Sequence, residues 1–449
     1  MSSPNFIIFL TDDQGYGDLS CMGTTDFRTP NLDELAESGA RFTSWYSNSP
    51  VCSPSRASLL TGRYPVKAGV RSIISGERTS SGLPPAATTL ASVLKDNGYH
   101  TGMFGKWHLG AAEDSRPHAH GFDEWFGFLS GCIDYYSHIF YWGMGRDMDQ
   151  IHDLWENGEE IYRNGEYFTE LITERAVDFI RKQADSDQPF FLYVPYNAPH
   201  YPMHAPQEYL DRFSELPWDR QIMAAMLSAV DDSIGSIRSE LKRQGILEDT
   251  CIFFQSDNGP SRETRNWLDG TRDPYYGGSA GKLKGHKFSL FEGGIRVPGI
   301  ISWPGEIHGN QVIDRPAAAM DIFPTFLNMA GIELEGHEVD GNNILPMLKG
   351  DNTFRPHDKI FWEMGEQTAV RTKDWKLVLN GQLVEGNEPE NELFLANLAE
   401  DMGEKNNLKN DFPQKSKELK EAAQSWRRKI DNKWENKWQD KVQEEVNPD

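Results

Sequence analysis

The stretch 5-NFIIFLTDDQGYGD-18 decides the class of fold, because an uninterrupted apolar run is followed at once by two carboxylates. A continuous apolar run of this length is typical of a strand buried on both faces of a parallel sheet. The same arrangement recurs at 189-PFFLYVPYNAPH-200 and 250-TCIFFQSDNG-259. Helical patterns separate these runs, so we predict an α/β fold with a large mixed, mostly parallel sheet sandwiched by helices.

The pattern of elements changes near residue 350. Before it, amphipathic periodicity predicts helices at 31–39, 55–62, 88–99, 167–183, 220–245 and 321–331. After it, segment 359–381 reads as short strands joined by turns, and the tail reads as a highly charged helix. We therefore predict a main domain over residues 1–352 and a small C-terminal antiparallel α+β subdomain over residues 353–449.

The overall charge excludes several classes of partner. The formal net charge of −23 over 449 residues argues against binding to nucleic acid or to an anionic membrane. We find no apolar run long enough to span a bilayer, and the N-terminus lacks the basic region of a signal peptide. These features predict a cytoplasmic protein, or a periplasmic or secreted one if an export signal has been removed.

Oxygen-bearing side chains follow two of the three buried strands. Asp12 and Asp13 come after the first strand, and Asp257 and Asn258 come after the third. Each pair alone is compatible with an exposed acidic turn. Because ligands bind beyond the carboxyl ends of parallel strands, the two pairs are expected to converge. They offer only hard oxygen ligands, which suit Ca²⁺ or Mg²⁺ rather than zinc or copper.

Cationic side chains cluster around the same strand ends. They are Lys106, His108, His200, His204, Lys282, Lys284, His286 and Lys287. Any one of them alone is compatible with a solvated surface group. Together, in a strongly acidic protein, they predict a local positive pocket for an anionic group.

Cys52 lies in 49-SPVCSPSRASLLTGRYP-65, one helical turn before Arg56. Read from the residues alone, it is compatible with a buried thiol, with a thiolate nucleophile or with a metal ligand. The four cysteines of the chain form no C-x-x-C pair, which makes a zinc site or a disulfide framework unfavourable. A thiolate also suits a hard cation poorly.

The segment 52-CSPSRASLLTGR-63 resembles the signature of the type I sulfatases of the alkaline phosphatase superfamily. Further segments match this family in order: TDDQGYGDLSC, TPNLDELAESGARFT, GKWHLG, APHYP, SDNG and K-x-x-x-x-E-G-G-I-R-V-P. The resemblance covers at least residues 5–330. It implies an alkaline phosphatase-like fold, with residues 1–352 as a sulfatase catalytic domain.

The resemblance also implies roles for particular residues. It implies that Cys52 is oxidised to Cα-formylglycine, a protein-derived cofactor, by a separate maturation enzyme. The implied metal ligands, normally to Ca²⁺ with Mg²⁺ as an alternative, are Asp12, Asp13, Cys52 in its modified form, Asp257 and Asn258. The implied catalytic residues are Cys52, Arg56, Lys106, His108, His200 and Lys287. Of these, Lys106, His200 and Lys287 are also expected to contact substrate, and His204 is a further expected contact.

The implied reaction is hydrolysis of a sulfate monoester. A hydroxyl of the formylglycine hydrate attacks sulfur, and a covalent sulfo-enzyme intermediate then breaks down with help from a base, for which we name His108. His200 and Lys287 are candidates for protonating the leaving alcohol. We predict a sulfated carbohydrate, such as a glycosaminoglycan, as substrate.

Several alternatives remain open at the level of sequence. They are an arylsulfatase of broad specificity, a phosphonate or phosphate ester hydrolase of the same superfamily, and a non-enzymatic protein that binds sulfated glycans. Two aromatic-rich segments, 121–143 and 265–278, are expected to line the entrance to the site, where aromatic faces stack on sugar rings; the competing reading places these aromatics in the core.

Overall fold

The computed structural model describes residues 3–140, 150–186, 188–262, 277–384, 386 and 388–437. Within these ranges the strands are β1 (Asn5–Thr11), β2 (Ala40–Phe42), β3 (Trp45–Tyr46), β4 (His100–Lys106), β5 (Glu124–Phe128), β6 (Ile139–Phe140), β7 (Ile151–His152), β8 (Trp155–Glu156), β9 (Glu159–Glu160), β10 (Phe190–Pro195), β11 (Thr250–Ser256), β12 (Gly299–Ser302), β13 (Gln311–Ile313), β14 (Ala317–Ala318), β15 (Ile360–Met364), β16 (Gln367–Arg371), β17 (Trp375–Gly381) and β18 (Asn391–Asn397). The helices are α1 (Pro30–Glu37), α2 (Cys52–Thr61), α3 (Pro65–Ala68), α4 (Leu90–Asp96), α5 (Phe168–Ala184), α6 (Gln207–Asp211), α7 (Trp218–Arg243), α8 (Glu292–Ile295), α9 (Ile322–Met329), α10 (Leu345–Leu348) and α11 (Pro413–Lys437). No helix in the ranges described is both long and apolar enough to cross a bilayer.

One ten-stranded sheet forms the centre of the molecule, in the order β13-β2-β12-β11-β1-β10-β4-β5-β8-β9. The five strands β11, β1, β10, β4 and β5 run parallel to one another. Antiparallel pairs join β12 to β11 on one side and β8 to β5 on the other. The predicted mixed, mostly parallel sheet is confirmed.

Side chains of β1 alternate between the two faces of this sheet, as the two-residue period of a strand requires. Ile7 and Phe9 join a core packed under α1, α5 and α7. Phe6, Ile8 and Leu10 join a second core packed under α2, α4 and α9. Both faces are covered, which explains why the strand is apolar throughout.

Helix α2 begins earlier than the sequence analysis predicts. The prediction starts it at residue 55, after Pro54, whereas the structure starts it at Cys52. Proline is tolerated in the first turn of a helix because the N–H it lacks would have no partner there. Cys52 and Arg56 therefore lie on one continuous helix, four residues apart.

The predicted entrance segment 121–143 is partly core. Its residues 124–128 form β5 inside the main sheet, where Phe126 and Phe128 are buried. Both rings pack against Phe168 of α5, with ring centroids 5.9 and 5.5 Å apart. For this part of the segment the prediction is wrong, because the aromatic residues fill the sheet–helix interface. Residues 141–143 and most of 265–278 lie outside the described ranges.

The C-terminal strands β15, β16, β17 and β18 form a separate antiparallel sheet, as predicted. Helix α11 packs on it, and Trp426 stacks on Phe361 with ring centroids 5.2 Å apart. Lys376 of β17 is fully buried and lies 2.9 Å from Glu292 of α8. The two sheets are thus joined through a buried ion pair, and the boundary between residues 352 and 353 stays a prediction.

Candidate active site

The carboxyl ends of β1 and β11 bring the two oxygen-bearing pairs together. The backbone N–H of Asp13 donates to Oδ1 of Asp257 over 3.2 Å, and Nδ2 of Asn258 donates to Oδ1 of Asp13 over 2.6 Å. All these side chains, and that of Asp12, are at most 2% exposed. The convergence follows from topology, because β1 and β11 are parallel neighbours in register.

Helix α2 places Cys52 and Arg56 against this cluster. The Cys52 Sγ lies 3.4 Å from Oδ1 of Asp12. The guanidinium of Arg56 donates to Oδ2 of Asp257 from Nε and Nη2, at 3.0 and 2.8 Å, and to the Lys106 carbonyl from Nη1, at 2.8 Å. Burial raises the pKa of the Cys52 thiol well above its usual range, although Lys106 lowers it. The unmodified cysteine is therefore a neutral thiol, which disfavours a thiolate nucleophile.

Two lysines approach the carboxylates from different parts of the chain. Lys106, the last residue of β4, lies 2.5 Å from Oδ2 of Asp12. Lys287, in the loop before α8, lies 2.9 Å from Oδ2 of Asp13 and 3.3 Å from Nε2 of His200. Both lysines are buried, and each pairs with a carboxylate because an unpaired buried charge is costly.

His108 lies beside the cluster in a left-handed backbone conformation, with φ of 53°. Its Nε2 is 3.1 Å from the Ile74 carbonyl, so Nε2 carries the proton that this hydrogen bond needs. Its Nδ1 is buried and has no hydrogen-bond partner within the described ranges. Burial lowers the pKa of His108 well below its usual range, and Lys106 and Arg56 lower it further. The ring is therefore neutral near pH 7, with a free lone pair on Nδ1 that can accept a proton.

His200 follows β10 in the loop 197–204. Its Nδ1 lies 2.7 Å from the Tyr201 carbonyl, which places the proton of the neutral ring on Nδ1 and leaves Nε2 to face Lys287. The hydroxyl of Tyr135 lies 2.9 Å from the Asn197 carbonyl and 3.0 Å from that of His200. Sequence reasoning missed Tyr135, because its partners are backbone carbonyls about sixty residues away and leave no pattern in the sequence.

His204 stands apart from the buried charges. Its Nδ1 lies 3.3 Å from Oδ2 of Asp134, and its side chain is 24% exposed. Its ring centroid is 6.2 Å from that of Tyr135 and 6.1 Å from that of Tyr136. This places His204 among aromatic side chains on the outer side of the His200 loop.

The donor set fits a hard divalent cation. Ligand atoms of Asp12, Asp13, Cys52 and His200 all lie within 4.8 Å of one another. Oδ1 of Asn258 is buried and has no hydrogen-bond partner in the part of the chain that the structure describes, as expected of an oxygen that can bind a cation. Burial, followed by the Asp12 charge, raises the pKa of Asp257 to about 6, so these carboxylates crowd one another.

Among histidine, cysteine and carboxylate side chains, this group includes His200, which the prediction does not name as a ligand, and lacks Asp257, which it does name. We favour the carboxylate and amide oxygens, because imidazole is a poorer ligand for Ca²⁺ or Mg²⁺ and Nε2 of His200 already faces Lys287. Asp257 also bonds to Arg56 and to the Asp13 backbone, which holds it at the centre of the group.

Comparisons with known proteins agree with this geometry. The family model described as Sulfatase matches residues 4–332, and the one described as N-sulphoglucosamine sulphohydrolase, C-terminal, matches residues 285–432. N-acetylgalactosamine-6-sulfatase of Mus musculus is 37% identical over 381 residues, which cover 82% of this chain and 70% of that protein. Steryl-sulfatase of Homo sapiens is 31% identical over 430 residues, which cover 80% of this chain and 72% of that protein.

A solved structure extends the agreement to three dimensions. Ps i-CgsB, solved in complex with k-i-k-neocarrahexaose, has a TM-score of 0.83 and 32% identity, covering 95% of this chain and 93% of that chain. The family match spans most of the chain and includes every residue of the buried cluster. The sulfatases of the alkaline phosphatase superfamily are sulfuric ester hydrolases that in general carry a metal ion and a formylglycine. This chain therefore belongs to the sulfatase family.

Proposed function

We propose that this chain hydrolyses a sulfate monoester on a carbohydrate, with Cys52 converted to formylglycine. The observation that carries the proposal is the buried cluster in which Cys52 and Arg56 meet three carboxylates and two lysines. The sugar class is supported by a relative named for N-acetylgalactosamine 6-sulfate chemistry and by a similar structure that holds a neocarrahexaose.

The charges of the cluster suit a sulfate group together with a divalent cation. Three carboxylates face three cationic side chains. The carboxylates are Asp12, Asp13 and Asp257, and the cations are Arg56, Lys106 and Lys287. Adding a doubly charged cation and a singly charged sulfate ester leaves one net positive charge, which suits the extra negative charge of the deprotonated attacking hydroxyl and of the doubly charged sulfate product. The lysines can then turn from the carboxylates towards the sulfuryl oxygens, where preorganised cations stabilise developing charge.

The proposed mechanism needs two further groups at the site, a formylglycine made from Cys52 and a bound metal ion. The formylglycine hydrate at Cys52 supplies the hydroxyl that attacks sulfur. Asp12, Asp13, Asp257 and Asn258 would hold a Ca²⁺ ion, which would supply positive charge to stabilise negatively charged oxygens when bound. Arg56 holds Asp257 and neutralises part of the carboxylate charge, which keeps this ligand in place.

Proton transfers are assigned to residues whose hydrogen bonds suit them. His108 accepts a proton on Nδ1, because Nε2 is already committed to the Ile74 carbonyl. Lys287 donates to the leaving alcohol oxygen. Since Nε2 of neutral His200 accepts from Lys287, this histidine positions the ammonium, and water supplies the proton that restores the ammonium after each turnover.

The modification is tested directly by mass spectrometry. We expect the peptide around Cys52 to be about 18 Da lighter than its thiol form when the chain is produced together with a formylglycine-generating enzyme. The same peptide from a host without such an enzyme should have the thiol mass. An unmodified peptide in a fully active preparation contradicts the role proposed for Cys52.

The identity of the metal is tested by removal and replacement. A chelator is expected to abolish turnover and lower the melting temperature, and Ca²⁺ is expected to restore both. Mg²⁺ should restore less, because it demands tighter octahedral geometry and keeps its waters. An Asn258→Ala variant should need more Ca²⁺ to regain its melting temperature, and unchanged Ca²⁺ dependence excludes Asn258 as a ligand.

The substrate class is tested with a panel of sulfate esters. It contains monosulfated hexoses and hexosamines, longer sulfated oligosaccharides, an aryl sulfate and a steroid sulfate. We expect kcat/KM to be highest for a sulfated sugar. If only the aryl sulfate reacts, the carbohydrate proposal fails and a broad arylsulfatase remains; an aryl phosphonate that reacts faster than any sulfate overturns the sulfatase assignment of this chain.

A further inference from the structure

A second cavity, of about 210 Å³, lies away from the buried cluster, where the turn after β2 meets the C-terminal sheet. We call it the basic cleft, because five of its lining side chains are cationic: Arg296, Arg315, Arg355, Arg371 and Lys373. Only two carboxylates, Asp314 and Asp374, line it. In a chain with a net charge of −23, such a local excess of positive charge attracts anions.

Arg371 is the most informative residue of the basic cleft. Four arginines are buried within the described part of the chain: Arg56, Arg238, Arg296 and Arg371. The first three each hold a carboxylate within 4 Å. Arg371 holds no carboxylate among the described residues, and its Nε and Nη1 are buried without a hydrogen-bond partner there. It is 4% exposed and packs over the Tyr46 ring, 5.1 Å from the ring centroid.

A buried guanidinium without a counter-ion is costly, since charge has left water without compensation. The nearby Glu292 relieves this cost only in part, because its oxygens already bond to Tyr46, Arg296 and Lys376. An anion in the basic cleft therefore meets a guanidinium that no described carboxylate pairs with directly.

Three other cations of the basic cleft have few partners of their own. Arg355 makes no hydrogen bond or ion pair within the ranges that the structure describes. Lys373 has one ionic partner there, Asp374, at 3.8 Å. Among the described residues, Nε of Arg315 has no hydrogen-bond partner, and its Nη1 donates to Oδ1 of Asn352 over 3.5 Å. The cleft thus combines a buried arginine with the exposed Arg355 and Lys373, and arginine binds oxyanions through forked hydrogen bonds.

The size of the cavity limits the class of ligand. It far exceeds the roughly 10–15 Å³ that one water requires, yet falls short of the roughly 300–1,000 Å³ that encloses a drug-sized molecule. We propose that the basic cleft binds a tetrahedral oxyanion of the sulfate class. The oxyanion is either free sulfate or a sulfate group borne by a longer sugar chain; the second source rests on the proposed function, whereas the binding of an oxyanion does not.

The position of the basic cleft suits a sulfate on the same polymer as the reacting group. Strand β2 runs parallel to β11, so Thr43 after β2 lies on the sheet edge that carries Asp257 after β11. Tyr16, close to Asp12 and Asp13 in sequence, links the two places. Its hydroxyl lies 3.3 Å from the Thr43 carbonyl, and its ring lies 5.4 Å from the Arg296 guanidinium carbon.

Crystals of the full chain soaked in selenate test the binding directly, because selenium marks a sulfate-shaped anion by anomalous scattering. We expect a peak within hydrogen-bond distance of Arg371 and Arg355. The peak should vanish in Arg355→Ala/Lys373→Ala, which alters only exposed residues. It should persist in the control Lys182→Ala/Arg243→Ala, which removes the same charge from α5 and α7. Selenate bound only elsewhere overturns the proposal.

Calorimetric titration with sodium sulfate tests the same site in solution, at constant ionic strength set with chloride. Two sulfate sites per chain are expected for the wild type and for the control, and the cleft variant should bind the second sulfate about tenfold more weakly or not at all. Equal binding by all three proteins overturns the proposal. Arg371→Gln should lose the site completely, but the two surface substitutions carry the test if this buried variant fails to fold.

Kinetics then distinguish the two sources of the oxyanion. If the sulfate is borne by the polymer, Arg355→Ala/Lys373→Ala raises KM for a multiply sulfated oligosaccharide about tenfold and leaves KM for a monosulfated sugar unchanged. If the ligand is free sulfate, both KM values stay unchanged while the calorimetric site is lost. If the proposed function is wrong, no sugar sulfate is hydrolysed, but selenate still binds in the basic cleft. Failure of the proposed function can therefore be told apart from failure of the oxyanion proposal.

Discussion

Cys52 is inert as a thiol, because burial keeps it protonated. We therefore expect Cys52→Ala and Cys52→Ser to lose turnover of an aryl sulfate by about 10³-fold or more while the melting temperature stays near that of the wild type. Cys251→Ala, at another buried free cysteine, is the matched control and should keep its activity. Substantial turnover by Cys52→Ala contradicts the mechanism.

His108 predicts an unusual acid limb in the pH profile. Its pKa is lowered by burial, so the neutral ring that accepts a proton persists below pH 6.5. We expect kcat to hold as the pH falls through 6.5 and to decline only at lower pH. The measurement is kcat on an aryl sulfate from pH 4 to 8, with melting temperatures recorded in the same buffers. The prediction is contradicted if kcat declines with a midpoint at or above pH 6.5 and His108→Asn removes that decline.

The His200 loop offers a test at the scale of an element. Tyr135 bonds to two of its carbonyls, so Tyr135→Phe should lower kcat on an aryl sulfate several-fold, with little change in KM, by loosening the backbone that carries His200. The matched control is Tyr196→Phe, whose hydroxyl bonds to Ser233 in the core. Both variants should lose about 0.5–1.5 kcal/mol of stability. Equal loss of kcat in both excludes a positioning role for Tyr135.

The junction between the two sheets predicts a pH-dependent stability. Glu404 shares the buried Lys376 with Glu292, and burial raises the pKa of Glu404 from 4.5 to about 7. The folded chain thus keeps a proton that the unfolded chain releases above pH 4.5. The contribution of Glu404 to the free energy of unfolding should fall as pH rises from about 4.5 to 7, by on the order of a few kcal/mol.

Chemical denaturation across this pH range tests the prediction for Glu404. Glu404→Gln should remove that part of the pH dependence, whereas Glu400→Gln, at an exposed residue of the same segment, should not. Identical curves for the wild type and Glu404→Gln show that Glu404 does not titrate in this range.

Most elements could be predicted because burial imposes a pattern on sequence. Strand β11 was predicted to within its boundaries, since both faces are covered and every position except Gln255 is apolar or small. The start of α2 was missed because Pro54 fits a first turn as well as a boundary. Strand β5 was missed because core aromatics and sugar-stacking aromatics look alike in sequence. The roles of Tyr135 and Arg371 depend on distant backbone and missing counter-ions, which leave no local signal.

At the scale of the whole molecule, an acidic body surrounds basic sites. The net charge of −23 repels a polyanionic substrate at long range. Salt shortens the distance over which this repulsion acts, from about 30 Å at 0.01 M to about 8 Å at 0.15 M. Buried pairs are screened much less. We expect KM for a multiply sulfated oligosaccharide to fall over this range, and KM for a monosulfated sugar to change little. A rise of both contradicts this account.

Lys106 pairs with Asp12 and Lys287 pairs with Asp13, and both carboxylates are metal ligands in the function we propose. A metal cation that binds alone must displace these ammonium groups, and the site then carries excess positive charge. A sulfate group that binds alone must draw the ammonium groups towards itself, which leaves the carboxylates unpaired. Each ligand thus removes the penalty that the other faces. The two should bind with positive cooperativity, so that sulfate tightens the hold on the metal as much as the metal tightens the hold on sulfate.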